Sequence, residues 1–300
     1  MNNKTTPDWY NEYKDFIESS IEKYLDTYLA IPMSAPLEQF KEMIRYAFSW
    51  GKKLRSILAL EFYLQLSGDS FSDLRFDSDI VRLCIALEAV HAYSLVHDDL
   101  PCMDNDELRR WELTVWKKYG ESNAVLVGDL LNSLCFEVIS DIRDAHKSQK
   151  IQKLISHAVW YYGMLWGQVE DIYYENNIND LDLGLLRGLH SKKTGKLIEA
   201  SVLGGVILSS ETANIDIFWD FWKKLWLAFQ IKDDLLDVEW TAEETGKSVW
   251  GEEKWFVYLI WVEATKKILH ESIEECKKIA KNLNSDKIDF IVWYVENRKK

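Results

Sequence analysis

Residues 102–300 contain no proline, and the four prolines present (Pro7, Pro32, Pro36 and Pro101) all fall within the first 101 positions. Proline breaks a helix interior because it lacks an N–H and its ring clashes with the preceding turn. A chain that omits it over two thirds of its length leaves long helices unbroken. Glycine is sparse as well. Apolar residues recur with a 3.6-residue period, and no convincing run alternates as a half-buried strand does. The spacing predicts helices over 8–30, 37–49, 52–67, 78–98, 121–143, 150–176, 182–208, 214–238, 250–282 and 286–298. The expected fold is all-α. No Ser/Gly linker and no fixed-period repeat divides the chain, so residues 1–300 are expected to form a single-domain helical bundle.

Two of these helices carry acids where apolar residues are expected. "IVRLCIALEAVHAYSLVHDD" (80–99) is apolar almost all round, as a buried helix is, with Glu88, His91, Ser94 and Asp98 as polar exceptions in one sector. "FWDFWKKLWLAFQIKDDLLD" (218–237) places Gln230, Asp233, Asp234 and Asp237 at i, i+3, i+4 and i+7, a single stripe. Carboxylates on an apolar helix are costly unless cations meet them. Asp98, Asp99 and Asp104 close the first helix, where Pro101 forces the chain to kink or exit. A lone acid run is most often a solvated face. Two clusters, each ending or lining an apolar helix, favour metal, and oxygen ligands without His or Cys favour magnesium over zinc. Magnesium completes its shell with water and phosphate oxygens, so the acids would hold metal and the metal would hold phosphates.

Cations accompany the acids. Arg109 and Arg110 follow the first cluster; Lys52, Lys53 and Arg55 lie in "GKKLR", Lys193 in "SKKTG" and Lys247 in "TGKS". Arginine's fork grips phosphate in two places and lysine supplies a point charge. The net charge of −13 argues against general affinity for nucleic acid or an anionic membrane surface. Cys84, Cys102, Cys135 and Cys276 lie far apart, without zinc spacing. Unbroken apolar runs such as "FVYLIWV" are too short to span a bilayer, and the polar N-terminus has no signal-peptide core. The expected location is a reducing cytoplasm, without integral membrane association.

Taken together, these stretches resemble the trans-isoprenyl diphosphate synthases, of the short-chain farnesyl and geranylgeranyl type. "HDDLPCMDNDELRR" resembles the first aspartate-rich motif in its longer form, and "FQIKDDLLD" resembles the second. "GKKLR", "HAYSLVHDD", "GQVED", "KTG" and "GKS" match further signatures in order, over residues 45–260. The resemblance implies an antiparallel helical bundle of isoprenoid-synthase type with a central active-site cavity, and a homodimer. It implies three Mg2+ ions, held by Asp98, Asp99, Asp104, Asp233, Asp234 and Asp237, clamping an allylic diphosphate that Arg109, Lys193 and Lys247 neutralise. Isopentenyl diphosphate would sit on Lys52, Arg55, His91 and Arg110. Thr194 and Gln230 would face the allylic cation in a water-free pocket, and Asp171 would orient Lys193. Tyr93 and Ser94, one turn before Asp98, would limit product length, with farnesyl diphosphate favoured over geranylgeranyl diphosphate. A class I terpene cyclase shares the ionisation but needs no second diphosphate site, against which Lys52, Arg55 and Arg110 argue. A non-catalytic subunit of a heteromeric synthase typically loses one aspartate motif, and this chain keeps both.

One departure is compositional. Tryptophan occurs 14 times and glycine 13 times. Trp50, Trp111, Trp166, Trp226, Trp240, Trp250, Trp255 and Trp261 stand where the resemblance leads one to expect glycine. Restoring them would bring glycine to its ordinary share of about 7%. The pattern is the one left when codons that a genome reads as glycine are translated as tryptophan.

Overall fold

The computed structural model describes residues 6–30, 34–49, 51–160, 162–209, 215–239 and 256–298. The all-α expectation holds. The helices are α1 (Asp8–Tyr28), α2 (Ala35–Phe48), α3 (Leu54–Ser67), α4 (Asp79–Asp98), α5 (Val115–Tyr119), α6 (Glu121–Ser140), α7 (Ala145–Val159), α8 (Met164–Asn176), α9 (Leu183–His190), α10 (Lys196–Ser209), α11 (Ile215–Glu239), α12 (Phe256–Asn282) and α13 (Asp286–Asn297). They gather into two compact units, Met1–Gln152 with Ile207–Glu211, and Lys153–Val206 with Thr212–Lys300.

In the first unit α4 is the core element. It packs most extensively on α6 and α3. Leu83, Ala86, Leu87, Ala89 and Val90 expose no surface, and each large apolar side chain so buried contributes about 1.5–3 kcal/mol. α6 approaches closely because Gly128 faces His97; a Cβ there would stand 2.0 Å from Nε2. Both α4 and α6 are long and apolar enough, by length and composition, to cross a bilayer. Neither shows an unbroken apolar run, because Arg82, Glu88 and His91 punctuate α4 and Asp129 punctuates α6. Within the fold, 72% of the apolar window of α4 is buried, as in the core helix of a globular protein.

In the second unit α11 packs on α12 and α13. Ile231 and Leu235 of α11 join Leu181, Leu186 and Phe256 in one apolar cluster.

Several expected helices are divided. The segment 150–176 breaks between α7 and α8 at Gly163, where a Cβ would lie 2.1 Å from the Ala158 carbonyl oxygen. The segment 182–208 is split by a π-helical turn, Ser191–Gly195. The start of the 250–282 helix lies outside the described residues, and α12 begins at Phe256. The sequence also gave no sign of a hairpin, β1 (Leu108–Arg109) against β2 (Glu112–Leu113), too short for alternation to register.

Candidate active site

The first aspartate cluster leaves the end of α4 as a tight loop. Pro101 stops the helix, and the amide of Asp104 turns back to donate to the Asp98 carbonyl at 2.9 Å. Asp98 is half-buried and Asp104 exposed. Asp99 is fully buried, and both its oxygens accept from Arg109 Nε, at 2.8 and 3.1 Å. Asp99 therefore fixes Arg109 at the root of the hairpin.

The hairpin then turns Arg110 back toward the loop before α3. Gly51, at φ +112°, leaves room for it; a Cβ there would sit 2.7 Å from Arg110 Nη1. Lys52 is exposed, and its carbonyl accepts from the Tyr10 hydroxyl at 2.8 Å. At the second residue of α3, Arg55 Nη1 lies 3.2 Å from His91 Nε2. A guanidinium donates only, so Nε2 accepts and the imidazole proton is assigned to Nδ1. Burial holds the His91 pKa well below its ordinary value, and Arg55, Arg110, Arg109 and Lys53 depress it further. His91 is thus the neutral member of a cationic group that fits an anion. Behind it, Ser94 Oγ donates to the His91 carbonyl at 3.0 Å. Tyr93 is buried, its hydroxyl pKa raised by desolvation and by Asp98.

The second unit assembles the remaining candidates around the π-helical turn. Gly167 of α8 abuts it so closely that a Cβ would lie 2.4 Å from the Lys193 amide nitrogen. Lys193 Nζ pairs with Asp171 at 2.5 Å. Lys192 pairs with Glu170 at 2.6 Å. Thr194 Oγ1 donates to Gln230 Oε1 at 3.4 Å, a long contact, and Gln230 Nε2 donates to Asp234 at 2.9 Å. Asp234 is buried and also accepts the Phe256 amide at 2.8 Å, at the start of α12. Asp233 is more open and pairs with Arg298 at 2.5 Å. Sequence reasoning missed Arg298, which belongs to no motif; its guanidinium also stacks 3.6 Å over Phe229. The Asp237 side chain and Lys247 lie outside the described residues.

Among the described residues, no three His, Cys, Asp or Glu side chains gather as a ready metal cage. The donor set is nonetheless hard oxygen throughout, which suits magnesium bound through few carboxylates.

Comparison with known proteins agrees with this chemistry. The sequence profile of the family described as polyprenyl synthetase matches residues 37–285. Farnesyl diphosphate synthase of Micrococcus luteus is 35% identical over 296 residues, 96% of this chain and 97% of the relative. Geranylgeranyl pyrophosphate synthase 4 of Arabidopsis thaliana is 34% identical, over 86% of this chain and 70% of the relative. The crystal structure of geranyltransferase from Helicobacter pylori, complexed with magnesium and isoprenyl diphosphate, superposes with a TM-score of 0.79 at 29% identity, covering 98% of each chain. The chain belongs to the polyprenyl synthetase family. It is an enzyme, a short-chain prenyltransferase.

Proposed function

We propose that this chain condenses isopentenyl diphosphate with an allylic diphosphate to make farnesyl diphosphate, with geranylgeranyl diphosphate as the next longer product. The observation that carries this reading is the cationic group of Arg55, Arg109 and Arg110 around a neutral His91, directly after which α4 delivers Asp98 and Asp104. An anion site beside carboxylates suits a diphosphate beside magnesium.

Asp98, Asp104, Asp233 and Asp237 are the residues that would hold Mg2+, three ions in all, with Asp99 and Asp234 fixing their surroundings. The bound ions supply Lewis-acid stabilisation of the departing diphosphate. Lys193 and Lys247 add fixed positive charge where the leaving group becomes more negative, and Arg109, held by Asp99, does the same. Lys52, Arg55, His91 and Arg110 bind isopentenyl diphosphate and orient its double bond. The Thr194 hydroxyl and the Gln230 amide oxygen turn partial negative charge toward the allylic cation. Apolar helix walls exclude water, which would otherwise capture that cation. Tyr93 and Ser94 limit how far the product chain extends. The enzyme acts as a homodimer in the cytoplasm, without nucleic acid or integral membrane association, and the burial of α4 bears on the last of these alone.

Incubation with magnesium, isopentenyl diphosphate and dimethylallyl or geranyl diphosphate, followed by mass spectrometry, tests the reading. A magnesium-dependent fifteen- or twenty-carbon diphosphate is expected. Release of diphosphate with a hydrocarbon and no extension would replace it with a terpene cyclase.

A further inference from the structure

A charged pair lies beneath the proposed isopentenyl diphosphate contacts, out of substrate's reach. Lys53 sits at φ 51°, between Lys52 and the start of α3, and is only 3% exposed. Its Nζ donates to the Phe48 carbonyl at 2.6 Å and lies 3.8 Å from Glu88 Oε2. Glu88, 4% exposed, accepts from Ser56 Oγ at 2.7 Å. A buried lysine is costly unless paired and hydrogen-bonded, and here it is both.

The pair joins three elements. Phe48 ends α2, Lys53 enters α3, and Glu88 belongs to α4. Glu88 and His91 are three residues apart, hence neighbours on one face of α4. Two parallel links therefore fasten the substrate loop to that face: Lys53 to Glu88, and Arg55 to His91. Tyr10 holds the same loop from α1 through the Lys52 carbonyl. We infer that the Lys53–Glu88 pair positions Lys52 and Arg55 for isopentenyl diphosphate without touching it. This inference rests on the assignment of Lys52, Arg55 and His91 proposed above.

The test uses Lys53→Met, Glu88→Gln and the double variant, with KM measured separately for isopentenyl and allylic diphosphates and thermal midpoints recorded alongside. The single variants lose stability because one buried charge loses its opposite charge, and the double recovers part of it. In the double variant the KM for isopentenyl diphosphate is expected to rise about tenfold, as loss of a positioned charged contact does, while that for the allylic substrate stays. An unchanged isopentenyl KM in the folded double variant, or equal rises in both KM values, would overturn the inference. If wild-type protein extends no primer, the functional reading fails first. Calorimetry with inorganic pyrophosphate then decides, since the pair stands only if the double variant weakens that binding.

A second inference comes from the backbone alone. The hairpin register pairs Leu108 with Leu113 and Arg109 with Glu112, leaving a two-residue loop. Arg110 and Trp111 both have positive φ there, 54° and 71°. Such primed turns favour glycine at the second position. Trp261 lies within α12 at φ 66° and ψ 157°, a region open essentially to glycine only. Both indoles are about 80% exposed, so little packing offsets the strain. We infer that positions 111 and 261 are glycine in the protein its own cell makes, the codons being read there as glycine. Trp166 and Trp226 have helical backbones that give no such sign, and Trp50, Trp240, Trp250 and Trp255 lie outside the described residues.

Peptide masses of the natively produced protein decide this: glycine at 111 and 261 is expected, and tryptophan at either overturns it. A recombinant comparison gives an independent reading. Trp111→Gly with Trp261→Gly should raise the thermal midpoint by several degrees, and a lower or unchanged midpoint would count against the inference.

Discussion

The Lys193 ammonium lies 2.5 Å from the Asp171 carboxylate, so a cation proposed to face diphosphate is tethered by an acid from the neighbouring helix α8. Asp171 is nearly buried. Asp171→Asn keeps the shape and removes the charge that holds the lysine. We expect kcat to fall by about tenfold, in proportion to one lost charge-assisted contact, with the KM for isopentenyl diphosphate unchanged. Steady-state kinetics with each substrate varied separately would check this.

Gly167→Ala should disturb the same turn by sterics alone. Its Cβ would meet the Lys193 backbone at 2.4 Å, and backbone cannot swing aside as a side chain can. Overpacking of this kind costs about 1–3 kcal/mol. Chemical denaturation should show that loss together with a fall in kcat.

Asp99→Asn removes the carboxylate nearest to Arg109, at a site where the aspartate is fully buried. A destabilisation of about 2 kcal/mol is expected. If Asp99 were instead an open magnesium ligand, the variant would mainly raise the magnesium concentration needed for half-maximal rate. Magnesium titration beside a urea melt separates the two.

His91 gives a pH signature. Its folded pKa lies below the unfolded value of about 6.5. Above that pH both states leave it neutral and it contributes no pH dependence. As pH falls below 6.5 the unfolded chain takes up a proton that the folded site refuses, so stability drops. The loss should amount to about 1 kcal/mol between pH 6.5 and 5.5. Urea midpoints across that range should fall less in His91→Gln, which cannot titrate.

Tyr93→Ala should lengthen the product, because a buried aromatic ring one turn before Asp98 is replaced by a methyl group. Mass spectrometry of the product mixture would show the shift beyond the wild-type chain length. An unchanged distribution would assign the limit to other residues.

Much of this protein was legible in its residues. The missing prolines and the 3.6-residue period declared an all-α chain, because those signals are local. The acids of "HDDLPCMD" and "FQIKDDLLD" stood out because charge set into an apolar helix is visible in one dimension, and the family resemblance added "GKKLR" and "KTG" as candidates. What one dimension lacks is the identity of each partner. Only the tertiary structure decided that Asp99 answers Arg109 and that Asp234 answers Gln230 and the α12 amide, while Asp98 stays half-buried at the end of α4 and Asp104 exposed in the loop after it. The breaks at Gly163 and at the Ser191–Gly195 turn were likewise hidden: at Gly163 the chain doubles back onto the His157 and Ala158 carbonyls, and at the π-helical turn the Lys193 backbone abuts Gly167 of α8. The sequence determined which side chains could carry charge into the interior. Packing determined which charges were neutralised there, because burial makes every unmatched charge costly and only three-dimensional neighbours can match it.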